Sequence, residues 1–297
     1  MVGDIEPLTP MALRQESLPY PHWLFSDPSS TDKLRFVPER GGLLTGWQCN
    51  GAEILYLDEQ RFLDPSQSIR GGAPVLFPIC GGLPDDQLPL ADGRTARLKQ
   101  HGFARTLPWS LAALEDGRGV RLELTDSPET LAAFPFAFQL QLDYRLAPGA
   151  LEVSVKLQNR APQPLPFSFG LHPYFNVSAL GGLQFEGMPE QCLNHKEMAP
   201  AASAEQLQQL EQGIDLLVRP SGAVALVDAA AGRRLSMELS SPWNLAVFWT
   251  EPPRPMVCIE PWTGPRLSLL SGDSKLELAP GASQELHCRY AVSALDD

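Results

Sequence analysis

Alternation of apolar and polar side chains at every second position is the strongest signal in this chain. Phe136, Phe138, Leu140, Leu142, Tyr144 and Leu146 alternate with Ala137, Gln139, Gln141, Asp143 and Arg145. A period of two sends the two sets to opposite faces of a strand, so the segment predicts a strand with one buried face. Ala147-Pro-Gly-Ala150 reads as a turn, and Leu151, Val153, Val155 and Leu157 then alternate again, which predicts an antiparallel hairpin. Val120, Leu122 and Leu124 carry the same period earlier, and Leu286, Cys288, Tyr290 and Val292 carry it near the end. A single short surface helix is predicted over Ala201–Gln212, where Ala, Glu, Gln and Leu cluster. Residues 1–33 are proline-rich and weakly patterned and are read as a partly ordered N-terminal arm. Nothing in residues 34–297 marks a linker or a repeat. That stretch predicts one domain, an all-β antiparallel β-sandwich with few short helices.

Composition sharpens this picture. A length of 297 residues suits one large all-β domain, and 29 prolines with 24 glycines favour strands and turns over long helices. The formal charge of −12 argues against a general nucleic-acid binder, which needs a basic surface to displace phosphate counterions. A local basic pocket for a small anion stays open. The five cysteines form an odd set with no CxxC pair, so neither a disulfide framework nor a zinc site is expected, and a cytoplasmic location is. No basic stretch followed by an apolar run opens the chain, and no segment approaches the roughly 20 apolar residues of a membrane span.

Four segments carry candidate chemistry. In Phe167-Ser-Phe-Gly-Leu-His-Pro-Tyr174, Phe167, Phe169 and Leu171 share one face, and Ser168, Gly170, His172 and Tyr174 share the other. Pro173 keeps His172 extended, facing away from the core beside a glycine that leaves room for a ligand. The plainer reading is a surface or hydrogen-bonded structural histidine. In His101-Gly-Phe-Ala-Arg105, an extended backbone puts His101, Phe103 and Arg105 on one face, from which the His and the Arg reach opposite ends of a small ligand. A surface loop with a salt-bridged arginine is the alternative. In Val257-Cys-Ile-Glu-Pro-Trp-Thr-Gly264, Val257 and Ile259 take the apolar face and Cys258, Glu260 and Trp262 the other. Partial burial beside Trp262 raises the pKa of Glu260 and makes it a better base, the indole can stack on a sugar ring, and the alternative is a structural carboxylate. Lastly, Arg70 sits beside Gly71-Gly72, free to reach an anion or simply part of a turn.

No Gly-x-Ser-x-Gly elbow appears, and His22, His195 and His287 lack metal-ligand spacing.

In this order, Ile69-Arg-Gly-Gly-Ala-Pro-Val-Leu-Phe-Pro78, His101-Gly-Phe-Ala-Arg105, Leu171-His-Pro-Tyr-Phe175 and Ile259-Glu-Pro-Trp262 resemble the aldose 1-epimerase (galactose mutarotase-like) superfamily. The likeness is greatest to its hexose-6-phosphate mutarotase, or glucose-6-phosphate 1-epimerase, branch. The resemblance runs from about Leu34 to Val292 and implies a large β-sandwich with a sugar pocket on one open face. It implies that Glu260 is the general base for the anomeric O1 hydroxyl, that His172 is the acid protonating the ring O5, and that His101 holds the same oxygens. Arg70 and Arg105 would clamp a substrate phosphate. No cofactor and no metal is implied, and the expected partner is a small sugar or sugar phosphate, bound by a monomer or weak homodimer. A departure lies at Leu193-Asn-His-Lys196, where the branch often carries a sugar-binding Asp; here Asn194 or His195 would take its place. With these roles the acidic limb of a pH profile belongs to Glu260 and the alkaline limb to His172, in a window narrowed by the raised glutamate. A free-aldose 1-epimerase and a non-catalytic sugar-binding protein are the competing readings, the second disfavoured because a mere binder needs no acid–base pair.

Overall fold

The computed structural model describes residues 12–27 and 30–295. Two eight-stranded antiparallel sheets face each other across the main core. The first runs in the order Gln184–Glu186, Val224–Asp228, Arg233–Leu239, Ser283–Ala294, Ala150–Asn159, Phe138–Ala147, Gly119–Thr125 and Ser110–Ala113. All four alternating runs of the sequence fall in this sheet as adjacent strands. Phe138–Ala147 and Ala150–Asn159 form the hairpin, with Ala147 opposite Ala150 and Gly149 at a φ of 65° closing the turn.

The second sheet runs Ala199–Ala202, Gln191–Asn194, Asp215–Val218, Leu245–Trp249, Met256–Trp262, Gly170–Leu171 and Val75–Leu76, with Tyr174–Asn176 also paired to Met256–Trp262. The sheets meet through interlocked side chains. Phe175 packs on Tyr290 with ring centroids 5.2 Å apart, and the Tyr290 hydroxyl donates to the Ile259 carbonyl at 3.3 Å. Every residue of Met256–Trp262 is buried, because its core face meets the opposite sheet and its other face lies under the site. Burying each large apolar side chain contributes about 1.5–3 kcal/mol.

Two expectations change. Residues 1–11 of the segment read as an arm lie outside the described residues, but Ala12–Glu16 and His22–Ser26 are strands of a five-stranded sheet continued by Lys33–Val37, Leu43–Cys49 and Ala52–Glu53. Backbone pairing supplies the order there, with Phe25 wholly buried, so a weak side-chain pattern did not announce it. The predicted helix is shorter, with α-helix at Ser203–Leu207 and a 3-10 turn at Leu210–Gln212. Ala201 and Ala202 instead pair with Cys192 and Gln191. Three other short α-helices, Glu59–Leu63, Pro128–Ala133 and Ser268–Ser271, complete the α-helices of the described residues.

Candidate active site

Met256–Trp262 forms the floor of the site. Strand alternation turns Val257 and Ile259 into the main core and Cys258, Glu260 and Trp262 to the opposite face, as the pattern predicts. The two pieces of chain flanking His172 both pair with this strand: Gly170 lies opposite Trp262, and Tyr174 lies opposite Cys258. His172 therefore sits at the break between them, with Nε2 3.4 Å from Glu260 Oε1. Its ring stacks on Tyr174, centroids 4.8 Å apart, and meets the edge of Trp249. Gly170 makes room for protein rather than for a ligand. A Cβ there would lie 2.8 Å from Trp262 Cδ1 and 3.0 Å from Cys80 Sγ.

His101 arrives by a turn, not by the extended run the sequence suggested. Its φ is 65° and that of Gly102 is 70°, and the Phe77 carbonyl accepts from the N–H groups of Phe103 and Ala104. This turn sends Phe103 onto Phe77 and Phe138 in the core, while His101 and Arg105 still reach the same cavity. The Gly81 N–H donates to His101 Nδ1 at 3.1 Å. A neutral His101 therefore carries its proton on Nε2 and is a donor.

These groups enclose a cavity of about 230 Å³, the share of roughly eight water molecules at about 30 Å³ each and so of one small sugar. Its lining brings together Arg70, His101, Arg105, His172, Glu260 and Trp262. An adjoining cleft of about 340 Å³, also bounded by Arg105, His172 and Tyr174, gives it a vestibule. A larger cleft of about 360 Å³ beside Leu90, Phe136 and Pro164 has no histidine and shares no lining residue with this cavity, so chemistry and not size picks the site.

Sequence reading missed two charged lining residues, Asp215 and Arg266. Asp215 accepts from Arg266 Nη2 at 2.7 Å and lies 2.7 Å from His195 Nδ1. His195 itself does not line the cavity. Its side chain is fully buried behind Asp215, and Asn194 turns to Gln206 and the Lys196 N–H. A carboxylate does reach the cavity, that of Asp215, from the neighbouring strand Asp215–Val218. Arg266, two residues past Glu260-Pro-Trp-Thr-Gly264, was the available signal; only the fold brings Asp215 to it.

Burial dominates the electrostatics. It raises Glu260 well above the carboxylate range, and the nearby Asp215 charge adds to this. The Trp262 indole N–H, donating to Glu260 Oε2 at 3.0 Å, opposes the shift. Burial likewise lowers His172 to about 3 and holds His101 well below the usual imidazole range. For the Glu260–His172 contact the close approach suggests an ion pair, whereas desolvation drives both groups neutral. In this pocket desolvation wins, since the Trp262 N–H and the His172 ring are too few partners to replace the hydration lost by the Glu260 carboxylate. Asp215 differs. Burial would raise it, but the His195 and Arg266 contacts outweigh that, and its pKa is lowered.

The two candidate phosphate ligands are not equivalent. Arg70 Nε donates to Glu251 Oε2 at 2.8 Å, where Arg254 also binds. Arg105 has no ion pair among the described residues, and its pKa is lowered chiefly by burial. It is the cation left open to a ligand.

The sequence family described as aldose 1-epimerase matches residues 35–291. The Slr1438 protein from Synechocystis sp. PCC 6803 is similar at 36% identity, with a TM-score of 0.87 over 96% of this chain and 98% of that one. A galactose mutarotase-like protein from Clostridium acetobutylicum shares the fold at 19% identity and a TM-score of 0.79, over 96% and 99% of the two chains. A protein named "Putative glucose-6-phosphate 1-epimerase" from Cenchrus ciliaris is 31% identical over 160 residues, 50% of this chain. The aligned part spans only 45% of that relative's length.

Proposed function

The chain belongs to the aldose 1-epimerase family, and from that premise we propose that it is a mutarotase interconverting the α and β anomers of an aldohexose, with a 6-phosphate as preferred substrate. The observation that carries this reading is the His172–Glu260 contact of 3.4 Å on the floor of a monosaccharide-sized cavity. Anomer exchange needs a base at O1 and an acid at O5, and nothing is oxidised or reduced. Glu260 takes the proton from the O1 hydroxyl while His172 delivers one to O5. The C1–O5 bond breaks, leaving an aldehyde at C1. Rotation about C1–C2 presents the other carbonyl face, and reversing both transfers closes the opposite anomer.

The pair begins and ends with one proton between its two groups. In the sugar-free pocket that proton rests on Glu260; sugar hydroxyls donating to the carboxylate let it pass to His172. Neutral His101, with Nε2–H as donor, polarises the reacting oxygens. Asp215, kept anionic by Arg266 and His195, accepts from a sugar hydroxyl. Trp262 contributes mainly through its N–H to Glu260.

Unpaired Arg105 supports the phosphate preference, and Arg70, already shared with Glu251, adds less. A free-aldose epimerase is the second reading, favoured by that same Arg70–Glu251 pair. The test is two-dimensional exchange NMR on glucose, galactose and their 6-phosphates, with wild type and Arg105→Ala. Losing a charged hydrogen bond worth about 1.5–3 kcal/mol should raise KM for the 6-phosphate about 10- to 100-fold while sparing the free sugar. Equal losses on both would favour the free-aldose reading.

A further inference from the structure

We propose that Cys258, His172 and Glu260 form a binding site for a borderline-soft divalent cation of the zinc class, which shuts the pocket against sugar. A thiol sulfur, an imidazole nitrogen and a carboxylate oxygen from these residues lie within 4.8 Å of one another. Zinc bound at about 2.3 Å to sulfur and about 2.0–2.2 Å to nitrogen and oxygen needs its ligands roughly 3.3–3.7 Å apart. Small rotamer adjustments therefore close the set, and the His172–Glu260 edge is already 3.4 Å. Cys258 and Glu260 are two apart on one strand and project from the same face, so the fold presents both ligands without a loop having to order.

A second observation points to a cation. Glu260 is 1% exposed, yet its carboxylate meets only the Trp262 N–H and His172, with no lysine or arginine ion pair among the described residues. A buried carboxylate so placed is stabilised by a bound positive charge. Cysteine, histidine and glutamate form a mixed donor set that suits zinc better than magnesium or calcium. The remaining coordination position faces the cavity, through which the ion enters and where a water completes the tetrahedron. Coordination releases two protons to solvent, one from the Cys258 thiol and one from the Glu260 carboxyl group. Cys258 does not line the sugar cavity and moves no proton in ring opening, so its thiol can be replaced while both members of the acid–base pair stay in place.

The site is inhibitory. A metal on His172 and Glu260 occupies both lone pairs that ring opening uses.

Calorimetric titration of the full-length protein with zinc, and absorbance titration with cadmium to detect thiolate-to-metal charge transfer, test the site directly. One equivalent is expected, with a charge-transfer band and weakened metal binding in the presence of glucose 6-phosphate. Cys258→Ser should keep anomer exchange, lose the band and bind zinc at least about tenfold more weakly. Glu260→Gln, which preserves shape, should also weaken zinc binding. Zinc affinity unchanged in Cys258→Ser, or in Glu260→Gln should the serine variant fail to fold, would overturn the proposal, as would binding without the band. These binding measurements need no catalytic activity, so a failure here is separate from a failure of the mutarotase reading.

Discussion

At the scale of single residues, the chemistry turns on where one proton sits. Burial favours neutral Glu260 and neutral His172, and in the proposed mechanism the working state of the pair holds one proton in total. On the acid side activity is lost when His172 gains a second proton, and its lowered pKa moves that limb to lower pH. On the alkaline side activity is lost when the only proton leaves, and the raised Glu260 moves that limb to higher pH. On the proposed mechanism the limbs belong to the opposite partners from those the sequence suggested, and the window is widened rather than narrowed. Because the groups touch, both apparent values belong to the pair. A plot of kcat/KM against pH should show a broad plateau reaching beyond both the ordinary glutamate value of about 4.3 and the ordinary histidine value of about 6.5. A narrow bell confined between those values would contradict this reading.

At the scale of elements, the turn at His101–Gly102 is the joint on which the site depends. Gly102 has a φ of 70°, and a Cβ there would lie 2.1 Å from the Phe77 carbonyl oxygen. Gly102→Ala should therefore cost at least about 1–3 kcal/mol of stability, read as a lower urea midpoint, and should lower activity by shifting His101. An unchanged midpoint would mean that the backbone relaxes freely. The same turn marks what could be read in the sequence. Period-two runs made the hairpin and the Met256–Trp262 floor legible, because alternation is a local consequence of having one buried face. Positive backbone angles leave no such trace, so His101, Phe103 and Arg105 looked extended. Asp215 was invisible for another reason: it meets Arg266 only because the fold joins positions 51 residues apart. The strands at Ala12–Glu16 and His22–Ser26 hid among prolines, since backbone pairing rather than a repeating side-chain pattern orders them.

At the scale of the whole molecule, the two-sheet core holds the fold and the site lies on the far face of one sheet. Losing the chemistry should therefore leave the structure standing. Among the described residues Glu260 is a buried carboxyl group with no lysine or arginine ion pair, a group that burdens stability and that the proposed function explains better than folding does. Its neutral isostere should unfold at the same temperature or a higher one. The most direct measurement is anomer exchange by saturation-transfer NMR on the best substrate, comparing wild type, Glu260→Gln and His172→Asn, with thermal unfolding recorded alongside. The account predicts exchange lowered by about 10²–10⁴-fold in both variants, with the melting temperature of Glu260→Gln unchanged or raised. Near wild-type exchange in either folded variant would contradict the assignment of the acid–base pair.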